Sequence, residues 1–586
     1  MGARRDRRAR QVRREERLPP SYRGRRWTVL GFFLGAAALL VWRAVDQQIF
    51  EKDFLQSEGA DRYVERVKVP AHRGLITDRR GAILAASTPV DSVGADPVRL
   101  PRDDRVLVPL AEALGMQTEE LRRRLSRYAG RRFVYLKRRL PPHRAEAVER
   151  LVKALHIPGV QMEREYRRYY PAGEVFAHVI GFTGVDDLGQ EGLELAYDQA
   201  LRGEPGAKRV LRDGRRQVVA DVANIRMPRP GSNLALSIDR RLQFIAYRAL
   251  KAAVRQHRAK AGSAVMLDVR SGEVLAMVNQ PSYNPNGSRS NKGGRLRNRV
   301  ATDTFEPGST MKPFTVATAL ELGRYRPDSP IDTTPGYFKV GRRLIRDHNN
   351  LGQIDVTTVI TKSSNVGAGK IALELPKEAL WERLRAFGFG EGSGSGYPGE
   401  ATGTLRPPEE WARIDQATLA YGYGISVTVL QLAEAYAVLA ADGLRRPLSL
   451  LRRERPPEAR RVLSAGTARA LRRMLETVVA EGGTAPQARV PGYRVAGKTG
   501  TGKKYSRKGY SEKKYRALFA GMAPASDPRL VMVVMVDEPR AGKYYGGQVA
   551  APVFARAMGE ALRLLNVAPD DVPGGTARLV ALETGP

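Results

Sequence analysis

The chain has 586 residues, with 98 Lys or Arg against 62 Asp or Glu and a formal net charge of +36. That length calls for two or three domains, and an apolar content of 42% is enough for real cores. There is no cysteine, which excludes disulfide scaffolds, cysteine nucleophiles and thiolate metal sites and suits an oxidising compartment.

So basic a balance asks for an anionic partner: nucleic acid, an anionic membrane surface or an acidic polymer. No helix-turn-helix, paired zinc ligands or aromatic RNA-binding signature accompanies it. The charge is also spread along the chain, so nucleic acid is set aside.

In chain order, the first element is an apolar run at 27–42, WTVLGFFLGAAALLVW, bracketed by Trp27 and Trp42. Tryptophan favours the two membrane interfaces. The run is short of the about 20 residues a span needs. Ala44 and Val45 extend it if Arg43 snorkels toward the headgroups. Arginine crowds residues 1–26, so the positive-inside rule keeps that tail in the cytoplasm and exports the rest. A cleaved signal peptide shares the basic start, but VDQQIFEKDF offers no small-residue cleavage site. The expectation is a basic cytoplasmic tail over 1–26 and a single retained transmembrane anchor over 27–45.

Residues 46–228 read as a mixed region. HRGLITDRRGAILAAS (72–87) predicts strand, turn and strand. Residues 105–155 carry helical periodicity with many arginines. REYRRYYPAGEVFAHVIGFTG (164–184) and GLELAYDQALRGEPG (192–206) follow. Nothing here assembles a catalytic set, and a structural module is the reading. MPRPGS (227–232) reads as a linker.

A second domain is expected over 229–568. RRLQFIAYRALKAAVRQH is an amphipathic helix, and SAVMLDVRSGEVLAMVNQ (263–280) is a hairpin around Arg-Ser-Gly. YRVAGKTGTG, YRALFAGMAP and RLVMVVMVDEP are three more strands, and roughly 305–480 reads as mostly helical. Strands at both ends around a helical block imply one α/β unit with a central sheet. Residues 569–586 read as a loose tail.

The chemistry concentrates at FEPGSTMKPF (305–314). A serine hydroxyl is a poor nucleophile until something takes its proton. No Gly-x-Ser-x-Gly elbow surrounds Ser309, and no His-Glu-x-x-His points to a metal mechanism. Lys312 lies three residues on, on the same face of a helix. A neutral amine near pH 7, against a reference of about 10.4, costs about 4 kcal/mol. Burial and a second cation supply that bias. The helix N-terminus adds N–H donors for an oxyanion. On this stretch alone a simple helix cap remains equally open. A second Ser-x-x-Lys, Ser511 to Lys514, reads as a chance copy in a polar loop.

Two further stretches decide the matter. ITKSSNVGAGKIAL (360–373) sets Ser363 and Asn365 at a junction of two helices, although SYN (282–284) matches Ser-x-Asn as well. AGKTGTG (497–503) offers the cation Lys498, the hydroxyls of Thr499 and Thr501, and Gly500, which lets a ligand approach the backbone. A strand edge there also pairs with an extended peptide.

Ser-x-x-Lys, Ser-x-Asn and Lys-Thr-Gly in this order form the serine acyl-transferase set of penicillin-binding proteins and β-lactamases. The exported chain resembles class B penicillin-binding proteins along nearly all its length, with the transpeptidase resemblance over about 230–566. HRGLITDRRGAILA, RRYYPAGEVFAHVIGFTG and GLELAYDQALRG look like that family's pedestal motifs. YGYGISVTVLQLAEAYAVLAADG, ALFAGMAP and YYGGQVAAPVFA look most like its cell-division, FtsI-type branch.

The resemblance implies an α/β fold of the penicillin-binding/β-lactamase type: a central antiparallel sheet with helices on both faces, an all-helical subdomain, and a mixed α+β pedestal over 46–228 after the transmembrane helix. It implies a peptidoglycan D,D-transpeptidase of septal cell-wall synthesis, held in the inner membrane with its catalytic domain on the periplasmic side. Ser309 would attack the penultimate D-Ala carbonyl of a stem peptide and Lys312 would take its proton. Ser363 would relay a proton to the leaving D-Ala, and Asn365 would hold a substrate amide. Lys498, Thr499 and Thr501 would bind the terminal carboxylate, and Lys498 would help keep Lys312 neutral. The backbone N–H groups of Ser309 and Thr501 would form the oxyanion hole. β-Lactams would acylate Ser309. No metal or organic cofactor is implied. The implied partners are stem peptides, the lipid bilayer, other division membrane proteins and a SEDS-family glycosyltransferase of the FtsW type, because no class A glycosyltransferase region is present. The alternatives are an elongation-type transpeptidase, a membrane-anchored β-lactam-hydrolysing or sensing relative, and a non-enzymatic division scaffold.

Overall fold

The computed structural model describes residues 23–51, 64–212, 218–287, 293–506 and 509–571. The chain divides into two compact units. The first holds residues up to Val69 together with Pro205–Pro228, and the second holds Pro70–Glu204 and everything from Arg229 on.

In the first unit, Arg23–Val45 is one continuous helix. Among the described residues, Gly24–Phe50 is the one helical stretch long and apolar enough to cross a membrane, and none of it is buried. Arg43 pairs with Asp46 at 2.7 Å, just past the apolar run. The same unit contains an antiparallel sheet in which Gly206–Arg212 lies between Val64–Val69 and Val218–Arg226. Residues 1–22 of the basic tail and 572–586 of the expected C-terminal tail lie outside the described residues.

The second unit begins with a sheet built on the long strand Ile83–Ala95. Ile76–Thr77 pairs with its start, Val134–Leu140 with its far end, and Val160–Tyr169 along Ala86–Ala95. Helices Asp104–Leu114, Thr118–Arg127 and Pro142–Ala154 close a small core around Val93, Leu110, Leu121, Leu136 and Val148. The helices bear out the periodicity read over 105–155, which is interrupted by the strand Val134–Leu140. It reads VYLKRRL, and its charged positions hide the period-two pattern that pairing reveals.

The three stretches that showed no catalytic set meet in one buried ionic knot. Arg73 donates from Nε to Glu194 at 2.7 Å and from Nη1 to Asp198 at 2.7 Å. Arg168 donates from Nε to the other Glu194 oxygen at 2.7 Å. Arg73, Arg168 and Glu194 side chains are at most 1% exposed. MPRPGS is not free either: Gly231 N donates to His72 O and Ser232 N to Ala200 O, each at 2.9 Å.

The main sheet runs Val274–Gln280, Ala261–Asp268, Leu530–Asp537, Gly509–Ala523, Ala496–Ser506, antiparallel throughout. Strands from both ends of the domain thus join in one sheet, as expected. Helices Arg240–Gln256 and Ala551–Leu564 cover one face, where Leu250 and Val254 meet Gly262 and Phe554 meets Phe519 and Gly521. The helical block, centred on the buried helix Val429–Ala440, covers the other. Within that block, Pro330–Asp332 pairs with Gln353–Asp355, and Tyr337–Val340 pairs with Arg343–Arg346. These pieces of three or four residues are too short for periodicity to separate from helix. The chance copy Ser511 to Lys514 lies on a strand, not in a loop. Positions three apart on a strand point to opposite faces, so no serine–lysine pair forms there.

The knot yields a stability prediction. Glu194→Gln leaves two buried guanidinium groups without a full counter-charge and lowers unfolding free energy by about 3–5 kcal/mol. Thermal or denaturant melting of the detergent-solubilised chain measures it, and a loss below about 1 kcal/mol would mean the knot is not holding the pedestal.

Candidate active site

Ser309 stands in the tight turn Gly308–Met311, which leads directly into the helix Lys312–Glu321. Gly308 has φ +59°, the left-handed region that glycine enters at little cost. The turn is pinned from three sides. Gly308 N donates to Gly422 O at 3.3 Å, Thr310 Oγ1 to Pro307 O at 2.8 Å, and Tyr436 OH to Thr310 O at 2.9 Å. A Cβ on Gly422 would fall 2.2 Å from Gly308 O, so this approach needs glycine. Glu306 accepts from Gly424 N at 3.1 Å and from Tyr510 OH at 2.9 Å, a structural role. No side-chain cap bond is made at either helical start, so the simple-cap reading of Ser309 fails. Its side chain stays half-buried.

Lys312 is wholly buried. Its Nζ meets Ser363 O, Ser363 Oγ at 3.1 Å and Asn365 Oδ1 at 2.8 Å. Among the described residues no hydrogen bond joins it to Ser309. The amine is instead gathered into the Ser-x-Asn segment.

That segment joins helices Val356–Thr361 and Asn365–Leu373, and Ser363 holds φ +62° there. A non-glycine residue in this region carries strain that its surroundings must outweigh. Ser364 supplies part of the support as the helix cap, with Oγ accepting from Gly367 N at 2.8 Å. Asp347 supplies the rest. It accepts from Ser364 Oγ and from the backbone N of Asn365 and of Val366, the last at 3.1 Å. A carboxylate at a helix N-terminus is electrostatically favoured. Asp347 lies far back in the sequence, and no local signal gave it this role.

Lys498 approaches from the edge strand Ala496–Ser506. It is wholly buried and donates to Ser363 Oγ at 2.9 Å. Alternation along the strand puts Lys498 and Gly500 on the face toward the Ser309 turn, and Thr499 and Thr501 on the other. Gly500 has a different use from the one expected: a Cβ there would meet Thr310 Cγ2 at 2.9 Å and Pro307 O at 3.0 Å. Its bare backbone admits the nucleophile turn. Thr499 Oγ1 hydrogen-bonds Thr484 Oγ1 at 2.9 Å, and Thr501 Oγ1 accepts from Gly546 N at 3.1 Å. The second Ser-x-Asn plays no part here, since Ser282 Oγ donates to Glu174 O at 2.6 Å.

Electrostatics follow from this packing. Burial, with the Lys498 charge adding to it, holds Lys312 well below the ordinary lysine value, while Asp347 pulls the other way. Burial alone brings Lys498 down to about 7. Two ammonium groups in one dry site are unfavourable, so one positive charge is the comfortable state of the pair. With that charge on Lys498, Ser363 Oγ accepts from Lys498 and donates its proton toward a neutral Lys312. The two remaining N–H bonds of Lys312 then go to Ser363 O and Asn365 Oδ1. Both Lys312 N–H groups and the Ser363 hydroxyl then have partners, and a proton path runs across the hydroxyl. Among the described residues no group of three or more His, Asp or Glu is placed to hold a metal.

Comparison with known proteins agrees with this geometry. A family model described as "Penicillin binding protein transpeptidase domain" matches residues 262–559, and one described as "Penicillin-binding Protein dimerisation domain" matches 68–236. The chain is 40% identical to the peptidoglycan D,D-transpeptidase FtsI of Escherichia coli K12 over 95% of its own length and 94% of that protein. It is 41% identical to the probable peptidoglycan D,D-transpeptidase PbpC of Pseudomonas aeruginosa, over 94% and 96% of the two chains. Among solved structures, the transpeptidase domain of Burkholderia pseudomallei penicillin-binding protein 3 is 48% identical over 57% of this chain and 98% of that one, with a TM-score of 0.54. Penicillin-binding protein 3 of Mycobacterium tuberculosis, complexed with aztreonam, is 29% identical over 86% and 98%, with a TM-score of 0.67. The pedestal, the central sheet and the lysine–serine–lysine cluster thus sit in a chain that belongs to the penicillin-binding protein transpeptidases.

Proposed function

We propose that this chain cross-links peptidoglycan stem peptides at the division septum through an acyl-enzyme on Ser309. The observation that carries the reading is the Ser363 hydroxyl, 3.1 Å from Lys312 and 2.9 Å from Lys498, at the foot of the Ser309 turn.

In this reading Ser309 Oγ attacks the penultimate D-Ala carbonyl and its proton passes to neutral Lys312. The backbone N–H groups of Ser309 and Thr501 receive the oxyanion, where fixed donors act without reorganisation. The C–N bond breaks as Ser363 gives its proton to the leaving D-Ala nitrogen, and Lys312 restores the Ser363 proton. An amine from a neighbouring stem then attacks the ester and loses its proton along the same path, which frees Ser309. Asn365 holds a substrate amide, and the terminal carboxylate takes the Lys498 charge. Thr499 and Thr501, whose hydroxyls meet Thr484 Oγ1 and Gly546 N on the other face of the edge strand, reach that carboxylate around the strand edge. Penicillin presents the same carbonyl and carboxylate and stays attached to Ser309. Asp347 is a positioning residue, since it shapes the Ser-x-Asn segment without reaching substrate.

The membrane-spanning candidate fits a single-pass anchor. The arginines at its start support a cytoplasmic N-terminus and a catalytic domain outside the inner membrane. The domain division at 26, 45, 228 and 568 belongs to the same proposal. So do an FtsW-type glycosyltransferase and other division membrane proteins as partners. The septal assignment rests on likeness to FtsI-type enzymes.

Three outcomes test this reading. Ser309→Ala abolishes covalent labelling by a fluorescent penicillin, and labelling that persists sinks the acyl-enzyme. In cells depleted of the protein and carrying Ser309→Ala, division stops and filaments form, whereas loss of rod shape with division intact would make it an elongation enzyme. The acylation rate rises with pH as Lys312 loses its proton, because the neutral amine is the base. Lys498→Met removes the neighbouring charge that depresses Lys312, so the acid limb moves to higher pH by about one unit. An unmoved limb would contradict the coupling.

A further inference from the structure

Beside the catalytic cluster lies an open cleft of about 490 Å³ lined by Tyr337, Lys339, Leu344, Arg346, His348 and Asn349, among others. That is room for an amino-acid side chain with its carboxylate rather than for a single ion. It is formed by the hairpin of Tyr337–Val340 and Arg343–Arg346. The hairpin's other face is apolar: Phe338 and Ile345 pack where Gly369 of the helix Asn365–Leu373 leaves space, at 3.1 and 3.5 Å from a Cβ built there. Tyr337 stands opposite Arg346 and Lys339 opposite Leu344, which puts Lys339 and Arg346 on the same, cleft-lining face.

Three observations single this cleft out. Among the described residues the side chains of Lys339 and Arg346 have no hydrogen-bond or ion-pair partner, and both line the cleft. The two charges are diagonal neighbours on one face of the ribbon, near enough for a single anion to meet both. Asp347, the carboxylate at the rim, already spends its oxygens on Ser364, Asn365 and Val366. The cleft is also registered to the site: Asn365 Nδ2 donates to Arg346 O at 3.0 Å, and the His348 ring lies 6.1 Å from that of Tyr545.

We propose that Lys339 and Arg346 bind a free carboxylate of the stem peptide upstream of its D-Ala-D-Ala end. The inference rests on the transpeptidase reading, in which Asn365 holds a substrate amide, so the next part of the same peptide falls beside Arg346. Stem peptides carry free carboxylates there, and a planar guanidinium matches them bidentately. Lys339 and Arg346 are specificity-determining residues. They take no part in bond making.

The test is competition on the full chain in detergent. A stem pentapeptide slows Ser309 labelling by fluorescent penicillin, and the concentration that halves the rate is compared with that of the same peptide amidated at its upstream carboxylates. Amidation raises it about tenfold in the native chain and not at all in Lys339→Ala/Arg346→Ala, whose labelling without peptide is unchanged. Equal protection by both peptides, an amidation effect that survives in the double variant, or no protection at all overturns the inference. Loss of labelling in the native chain would instead sink the transpeptidase reading itself. A stem lacking the terminal D-Ala pair separates the sources. If only its discharge of the acyl-enzyme responds to the double variant, the carboxylate belongs to the acceptor strand rather than to the donor.

Discussion

One hydroxyl between two buried lysines is the constraint on which the rest of the catalytic domain depends. Neither amine reaches water, so the pair cannot comfortably carry two charges, and the two amines are linked through Ser363. The three partners come from three different places. Lys312 arrives on the helix under the nucleophile turn, Ser363 on a strained junction, and Lys498 on the edge strand of the sheet. Bringing them within 3.1 Å fixes the helical block against the sheet. Gly422 and Gly500 leave room for the nucleophile turn where those pieces meet, and Gly308 gives the turn its left-handed backbone.

Such a cluster costs stability. A lysine whose value is depressed in the folded state binds fewer protons there than in the unfolded chain, so its penalty grows as pH falls below about 10 and levels off near its folded value. The domain offsets that penalty with extensive apolar packing around Phe314, Phe387, Phe389 and Tyr436, directly behind the site. The pedestal uses charge in the opposite sense. Arg73 and Arg168 are balanced in charge by Glu194 and Asp198, and there the ions hold a fold together rather than prepare a reaction.

The sequence was most legible where chemistry repeats in short motifs. Ser309 with Lys312, Ser363 with Asn365, and Lys498 to Thr501 all lie on the elements that their spacing implied. Four of the five main strands were visible through their apolar runs, and the edge strand Ala496–Ser506 through its Lys-Thr-Gly stretch. What stayed hidden depends on contacts far apart in sequence. Lys312 turns toward Ser363 rather than Ser309 because Asn365 and the Ser363 carbonyl lie within its reach. Gly500 is required by Thr310 and Pro307, which no local pattern predicts. Asp347 organises a segment that begins 17 positions later in the chain. The pedestal motifs looked inert one by one because their meaning is a four-residue knot drawn from three stretches.

The account turns on a neutral Lys312. Its most direct test is a titration of the Lys312 side chain by NMR, with the lysines isotopically labelled and Lys312→Met used to assign the signal. The account predicts an amine that loses its proton well below 10.5 and is neutral where acylation is fast. An amine that keeps its proton up to the ordinary lysine value would contradict it.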